Sequence, residues 1–298
     1  MVCDESESEG LSPADAFALV GHEHRVDILR SLLAACRTRD EYPTSFSTLY
    51  ERTDIEVSAQ FSYHLGELTG QFVRRTDDGY ELRYAGWEVA TSILAGTYNR
   101  RLEFGPTSID GTCPHCGGTT LDAAYREEWL AIGCTACDVH LVRYTFPPGG
   151  LESRSLPETL RAFDRHVRSH VALARTGVCP GCFGVMEVQT ASVDERVDED
   201  HIVVCVCQRC GNRLRPQPGL FLVNDEHVVR FFHDHGRSLS GTPFWEHEFC
   251  VSGACTSVTA TDPWRCVVTI PREDEQLVVS VDDTLTVRSA TVESRRET

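Results

Sequence analysis

Two stretches of the chain carry the same punctuation, and they constrain its fold more than anything else in it. In CPHCGGTTLDAAYREEWLAIGCTAC, Cys113 and Cys116 form one CxxC pair and Cys134 and Cys137 a second, with 17 residues between the pairs. CPGCFGVMEVQTASVDERVDEDHIVVCVCQRCGN repeats the pattern with Cys179, Cys182, Cys207 and Cys210 and a longer, acidic insert. Each CxxC turn can aim two thiolates at one tetrahedral centre, so the spacing predicts two four-cysteine metal sites, with zinc as the expected ion. Four protein ligands leave no open coordination position, which makes the two expected zinc ions structural rather than catalytic. Gly117 and Gly211 relieve crowding where the chain leaves a knuckle. Cys205 is a fifth candidate, but the CxxC spacing and Gly211 favour Cys207 with Cys210.

The pattern resembles a zinc ribbon, with strand-forming residues between the pairs from Tyr125 to Ile132 and the acidic insert of the second copy at its hairpin tip. The repeat extends past the cysteines. Pro148-Gly149 and the helical LPETLRAFDRHVRSHVALAR follow the first copy; Pro218-Gly219 and NDEHVVRFFHDHG, opened by Asn224 and closed by Gly236, follow the second. Ribbon plus helix is therefore expected twice, over residues 108–176 and 177–240. From 241 to 298, WRCVVTIP and LVVSVDDTLTVRS read as an antiparallel β region. Cys250, Cys255 and Cys266 match no ligand spacing and are expected to be buried thiols. HEH at 22–24 and HDH at 233–235 are read as structural, and His166 and His170, at i and i+4, as covering a surface.

Residues 12–100 follow a different plan. Ser12-Pro13 and the apolar series Phe17, Val20, Ile28, Leu29, Leu32, Leu33 predict one long opening helix, distorted at Gly21. A short helix over Phe46 to Arg52 and another from Ser58, with Phe61, Leu65 and Leu68 on one face and Gly70 at its end, come next. FVRR and YELRY around TDDG predict a hairpin, and a last helix from Ala85 carries Val89, Ile93 and Leu94. ALVGHEHRVDILRSLL, SFSTLYERTDIEVSAQFSYHLGELTGQFV and the TDDG hairpin resemble the ArsR-type winged helix-turn-helix transcriptional regulators, over about 90 residues. The resemblance implies a homodimer joined through its first and last helices, with double-stranded DNA as partner. The metal-sensing members carry a Cys pair that this region lacks, so metal sensing does not transfer.

In such a domain the helix from Ser58 reads DNA. With Phe61, Leu65 and Leu68 inward, Ser58, Ala59, Gln60, Ser62 and Tyr63 remain for base edges and phosphates, with Gln60 suited to adenine. His64 is assigned to a phosphate, and Arg75 and Arg83, on or beside the wing, to the DNA backbone. The whole chain is expected to be α+β: a winged helix-turn-helix, two ribbon-plus-helix modules and a β-rich end.

Charge qualifies this reading. All 28 basic residues are Arg, none is Lys, and 45 acidic residues leave a formal net charge of -17. That bias implies a salt-saturated cytoplasm such as a halophilic archaeon's, where carboxylates sustain solubility. At molar salt the Debye length shrinks to about 3 Å, so an acidic body does not exclude DNA, although affinity must then come from short-range contacts. No apolar run approaches a membrane span, and the start has no leader pattern, so a cytoplasmic location is expected. No nucleophile motif, phosphate loop or paired-carboxylate signature is present, so no enzymatic activity is expected. The order of winged helix then ribbon is also similar to archaeal transcription initiation factor E, which implies an alternative role as an adaptor to the transcription machinery.

Overall fold

The chain divides between Arg100 and Arg101 into two units, each with its own core. The structure, a computed structural model, describes residues 10–38, 41–190 and 202–295. The acidic insert assigned to a hairpin tip lies largely outside the described residues.

The first unit opens with two helices where the apolar pattern predicted one. Helix α1 (Pro13–Val20) ends at Gly21, and α2 (Glu23–Ala35) restarts behind His22, whose imidazole accepts from the His24 amide at 3.2 Å. A glycine that propagates a helix poorly, followed by a side chain able to cap a new one, breaks the run. Helix α3 (Phe46–Glu51) is capped by the Ser45 hydroxyl. Helix α4 (Ser58–Leu68) follows, then the hairpin β1 (Val73–Arg75) and β2 (Tyr80–Leu82), then α5 (Tyr84–Leu94). Ile28, Leu29 and Leu32 of α2 meet Leu49 of α3 and Phe61, Leu65 and Leu68 of α4 in the core. The hairpin is tied down by paired amide bonds between Thr44 and Tyr80. Gly79, at φ +147, sits so close to this bridge that a Cβ would lie 2.4 Å from the Thr44 carbonyl oxygen.

Among its described residues the second unit contains three antiparallel sheets. The first runs in chain order through β3 (Phe104–Ile109), β4 (Leu121–Arg126), β5 (Trp129–Cys134) and β6 (Val139–Thr145). After the short α6 (Gly149–Glu152), α7 (Leu156–Arg175) is started by a reciprocal Ser155–Glu158 capping box. Its Leu160, Phe163, Val167, Val171 and Ala174 recur at helical spacing and are all buried. The second sheet is β7 (Met186–Thr190), β8 (Val203–Cys207) and the two-residue β9 (Arg213–Leu214), followed by α8 (Pro218–Phe221) and α9 (Glu226–Asp234). Asp225, rather than Asn224, caps α9, because its carboxylate accepts the His227 amide at 3.1 Å. Helix α10 (Glu248–Val251) leads into a meander of β10 (Thr256–Thr261), β11 (Trp264–Arg272), β12 (Glu275–Asp282) and β13 (Val287–Ser294).

The segments 108–176, 177–240 and 241–298 do not keep separate cores. One continuous cluster runs from Ile109 through Phe163, Val203, Phe232 and Trp245 to Leu285. Sheets this small cannot bury enough apolar surface alone, so they pool it around α7. A buried ion pair stitches the arrangement: Arg168 donates to Asp164 at 2.9 Å and to the carbonyls of Leu239 and Thr242, while Asp164 accepts the Phe244 amide at 2.8 Å. Among the described residues, no helix is long and apolar enough to cross a membrane.

Candidate metal centres and candidate nucleic-acid interface

The fold gathers the two cysteine quartets. In the first, Sγ atoms lie 3.8 Å apart for Cys113 and Cys137 and 3.7 Å for Cys116 and Cys134. In the second the distances are 3.7 Å for Cys179 and Cys210 and 3.5 Å for Cys182 and Cys207. A tetrahedral centre with metal–sulfur bonds of about 2.3 Å sets its sulfurs about 3.8 Å apart. All four sulfurs of each quartet lie within 4.8 Å of one another, so both could hold a metal ion, and among the described residues they are the two such groups. First pairs with last and second with third in both, so each site has the same internal symmetry.

Four knuckles build these sites, and they share a backbone device. The amides of Cys113, Cys179 and Cys207 donate to the carbonyls of Gly118, Gly184 and Asn212, five residues on; the residue at the fourth place donates back to the cysteine carbonyl. That fourth residue is left-handed in every knuckle: Gly117 at φ +71, Gly211 at +72, Asp138 at +56 and Phe183 at +57. Glycine takes this conformation without steric cost, whereas Phe183 does not. Two of the four positions were therefore recognisable by glycine, and the other two were invisible.

Amides also aim at sulfur. Gly181 donates to Cys179, and Arg209 and Cys210 to Cys207, each at 3.4 Å. Burial opposes ionisation of Cys134 and Cys179, yet amide and thiol donors hold both thiols down at about 6. Burial and the neighbouring Cys116 and Cys134 push Cys137 up to about 12. Cys210 also reaches about 12, because Cys182 and Cys207 outweigh the amide of Asn212. Four thiolates cannot coexist at this spacing by themselves; a divalent cation at the centre removes the conflict. Cys205 points elsewhere: it is buried in the shared core, and burial raises its thiol to about 12. Cys250 and Cys266 are also buried and held protonated by desolvation, and Cys255 is half-buried with its thiol raised to about 11.

In the first unit, α4 separates cleanly into two faces. Phe61, Leu65 and Leu68 are in the core, whereas Ser58, Ala59, Gln60 and Ser62 are exposed and Tyr63 is 59% exposed. His64 does not join them. It is 8% exposed, its ring tilted against that of His22 at 4.2 Å between centres, and its Nδ1 accepts from Arg25 Nε at 3.4 Å. Desolvation and the nearby His22, Arg25 and His24 hold its pKa below the ordinary histidine value. Its burial sets it apart from the exposed residues of α4 with which the sequence grouped it.

Arg83 also moves. It stands at the N-cap of α5 rather than on the strand, and its guanidinium donates to the Gly70 carbonyl, closing the end of α4. Arg75 is exposed on β1, its guanidinium 5.9 Å from the Tyr80 ring centre, while Arg74 is paired with Glu81. On α5, Val89 packs against the core and Ile93 is half-buried, so the surplus apolar surface is Tyr84, Trp87 and Leu94, all exposed. Exposed Phe17 of α1 and Tyr98 add to it. His166 and His170 are half-buried beneath β6 rather than on a surface, 4.0 Å apart between ring centres, with His170 Nδ1 2.9 Å from the Tyr144 hydroxyl. Desolvation lowers His170 to about 4.

Comparison with known proteins divides the chain in the same place. A family model described as a domain of unknown function (DUF7351) matches residues 110–287, spanning both cysteine quartets and most of the final meander. A second, also described as a domain of unknown function (DUF7347), matches residues 13–93, from α1 to α5. No curated protein matches the chain. The first match covers more than half of the sequence, and the chain belongs to the DUF7351 family.

Proposed function

We propose that the chain is a dimeric, sequence-specific DNA-binding transcription regulator, in which residues 12–100 act as a winged helix-turn-helix and the two quartets are structural zinc ribbons. The observation that carries this reading is the outer face of α4: Ser58, Ala59, Gln60, Ser62 and Tyr63 are exposed together on a helix whose other face is fixed in the core. Short polar side chains at the N-terminal end of such a helix suit base edges in a major groove. The β1–β2 hairpin, with exposed Arg75, follows as a wing would. The exposed Phe17, Trp87 and Leu94 supply a surface for a second copy, which light scattering in molar KCl reads directly. Zinc is favoured by all-sulfur, four-coordinate, tetrahedral donor sets.

Fluorescence anisotropy with DNA from the chain's own promoter and with random duplex, in molar KCl, tests the reading. Gln60→Ala is expected to cost about 1–3 kcal/mol at a preferred site and little on random DNA, because base contacts carry sequence information. Arg75→Ala weakens both alike, as a backbone contact does. If neither substitution changes binding on either duplex, α4 is not an interface; binding that needs added RNA polymerase assigns the chain to the adaptor role.

A further inference from the structure

A cleft of about 720 Å³ opens within the second unit, between β6 of the first cysteine module and β9 with the turn that follows it in the second. Leu141, Val167, Val171, Leu214, Leu220 and Phe244 line it and are buried, so its floor is apolar. Its rim is polar and rich in arginine: Arg143, Arg213 and Arg215 line it with His115 and His140, and all five are exposed. Glu248 is the one carboxylate among the lining residues. In a chain with a net charge of -17 and no lysine, Arg143 and Arg213 at one cleft with a single lining acid make this a locally less acidic surface.

Arg143 is additionally held in place, its guanidinium carbon 4.5 Å from the centre of the Trp129 ring. Stacking on an indole fixes the guanidinium plane before a ligand arrives and leaves its edge for a planar oxyanion. Small-molecule sites commonly enclose about 300–1,000 Å³ over apolar walls with a few orienting polar groups, and this cleft has those dimensions and that lining. Long-range attraction cannot recruit an anion to a body this acidic, so recognition must come from arginine forks at contact distance.

We propose that the cleft binds an amphipathic organic anion: a small molecule whose aromatic or acyl body lies on the apolar floor and whose carboxylate or phosphate head is held by Arg143 and Arg213. The site draws on both cysteine modules and the segment after α9, so it exists only in the assembled second unit and is independent of the DNA-binding reading.

The test uses the full metal-loaded chain in molar KCl. Anilinonaphthalene sulfonate serves as an anionic probe and phenylnaphthylamine as its neutral counterpart, both read by fluorescence. The expected result is saturable binding of one sulfonate per chain, weakened about tenfold by Arg143→Gln or Arg213→Gln, the loss of one charge-assisted contact. The neutral probe should be unaffected by either variant. Phenylbutyrate should displace the sulfonate and phenylbutanol should not; phenyl phosphate in a parallel arm separates a phosphate head from a carboxylate one. Circular dichroism and the thermal midpoint establish that both variants are folded, which surface arginines permit. No saturable sulfonate binding, arginine variants that bind it as tightly as the parent, or displacement by random duplex DNA but not phenylbutyrate would each overturn the proposal. Adsorption to the exposed Trp87 face gives the second of these outcomes.

Discussion

The two cysteine modules have the same inner geometry and different surroundings. Their sulfur pairs close at 3.7–3.8 Å and 3.5–3.7 Å through the same backbone turns. The first is mounted on a four-stranded sheet whose strands are six or seven residues long. Among the described residues the second stands on three strands, of which β9 has two residues. Where the first turns on Gly117, the second uses Phe183 in the same left-handed conformation. Metal-site geometry is local and can be duplicated by repeating a spacing; support is not. If both quartets hold an ion, the second module should depend more on that ion and on the shared core than the first, which has its own larger sheet among the described residues.

The largest expected effect follows from that dependence. The parent chain should carry two zinc ions, and Cys134→Ser and Cys207→Ser one each, as metal analysis will read. Structural zinc contributes roughly 10–16 kcal/mol of apparent binding free energy in small metal folds, so each loss should be severe, on the order of 5 kcal/mol or more. Cys207→Ser should lower the thermal midpoint further than Cys134→Ser; the opposite order would break the comparison.

Next comes the joint between them. Asp164→Ala leaves Arg168 buried and unpaired and orphans the Phe244 amide, which should cost about 3–5 kcal/mol. Because α7 is shared, both modules should melt together in the variant. Two separated transitions in calorimetry would show that the modules are more independent than their common core implies.

The final meander offers a control without a cysteine quartet. Its β12–β13 turn is closed by the Asp282 carboxylate, which accepts from the Thr284 amide and hydroxyl at 3.0 and 2.7 Å, the Thr286 amide at 3.0 Å and Arg288 Nε at 2.6 Å. Burial opposes the charge, but these donors prevail and hold the carboxyl below its ordinary value. A depressed folded pKa contributes stability that is present above the unfolded value, about 3.9, and is lost as pH falls through the folded one. Asp282→Asn should therefore cost about 1–3 kcal/mol at neutral pH, and the gap to the parent should narrow in acid below about pH 4. A gap independent of pH in denaturant titrations would remove the carboxylate's charge from the explanation.

The smallest effect exchanges the knuckle residues. Phe183→Gly relieves a left-handed phenylalanine at the expense of a more flexible unfolded chain, for a net gain of about 0.5 kcal/mol. Gly117→Phe should lose about 1 kcal/mol for the converse reason. No atom within 4 Å would meet a Cβ at Gly117, so that loss reports backbone conformation alone. Thermal melts with matched metal loading resolve both; equal shifts of one sign would show that φ is not what distinguishes the modules.

The spacing of eight cysteines was enough to determine two ligand quartets, because a CxxC turn sets its two sulfurs through a handful of consecutive residues. The helix pattern of Phe61, Leu65 and Leu68 was local in the same sense, as was the alternation of β11 and β12. What tertiary structure decided was burial. His64 follows an exposed tyrosine on a polar-looking stretch, and only the packing of α2 against α4 brings His22 over its ring. Arg83 fits a wing by alternation, yet the start of α5 and the end of α4 meet beside it and take its guanidinium. His166 and His170 share a helix stripe that looks polar until β6 covers it. The mixed cleft between the modules draws its arginines from positions 143, 213 and 215, which no short window connects. Local spacing specifies which groups meet when few torsions separate them; across longer separations the outcome depends on which apolar surfaces pool, and one core from Ile109 to Leu285 made that choice.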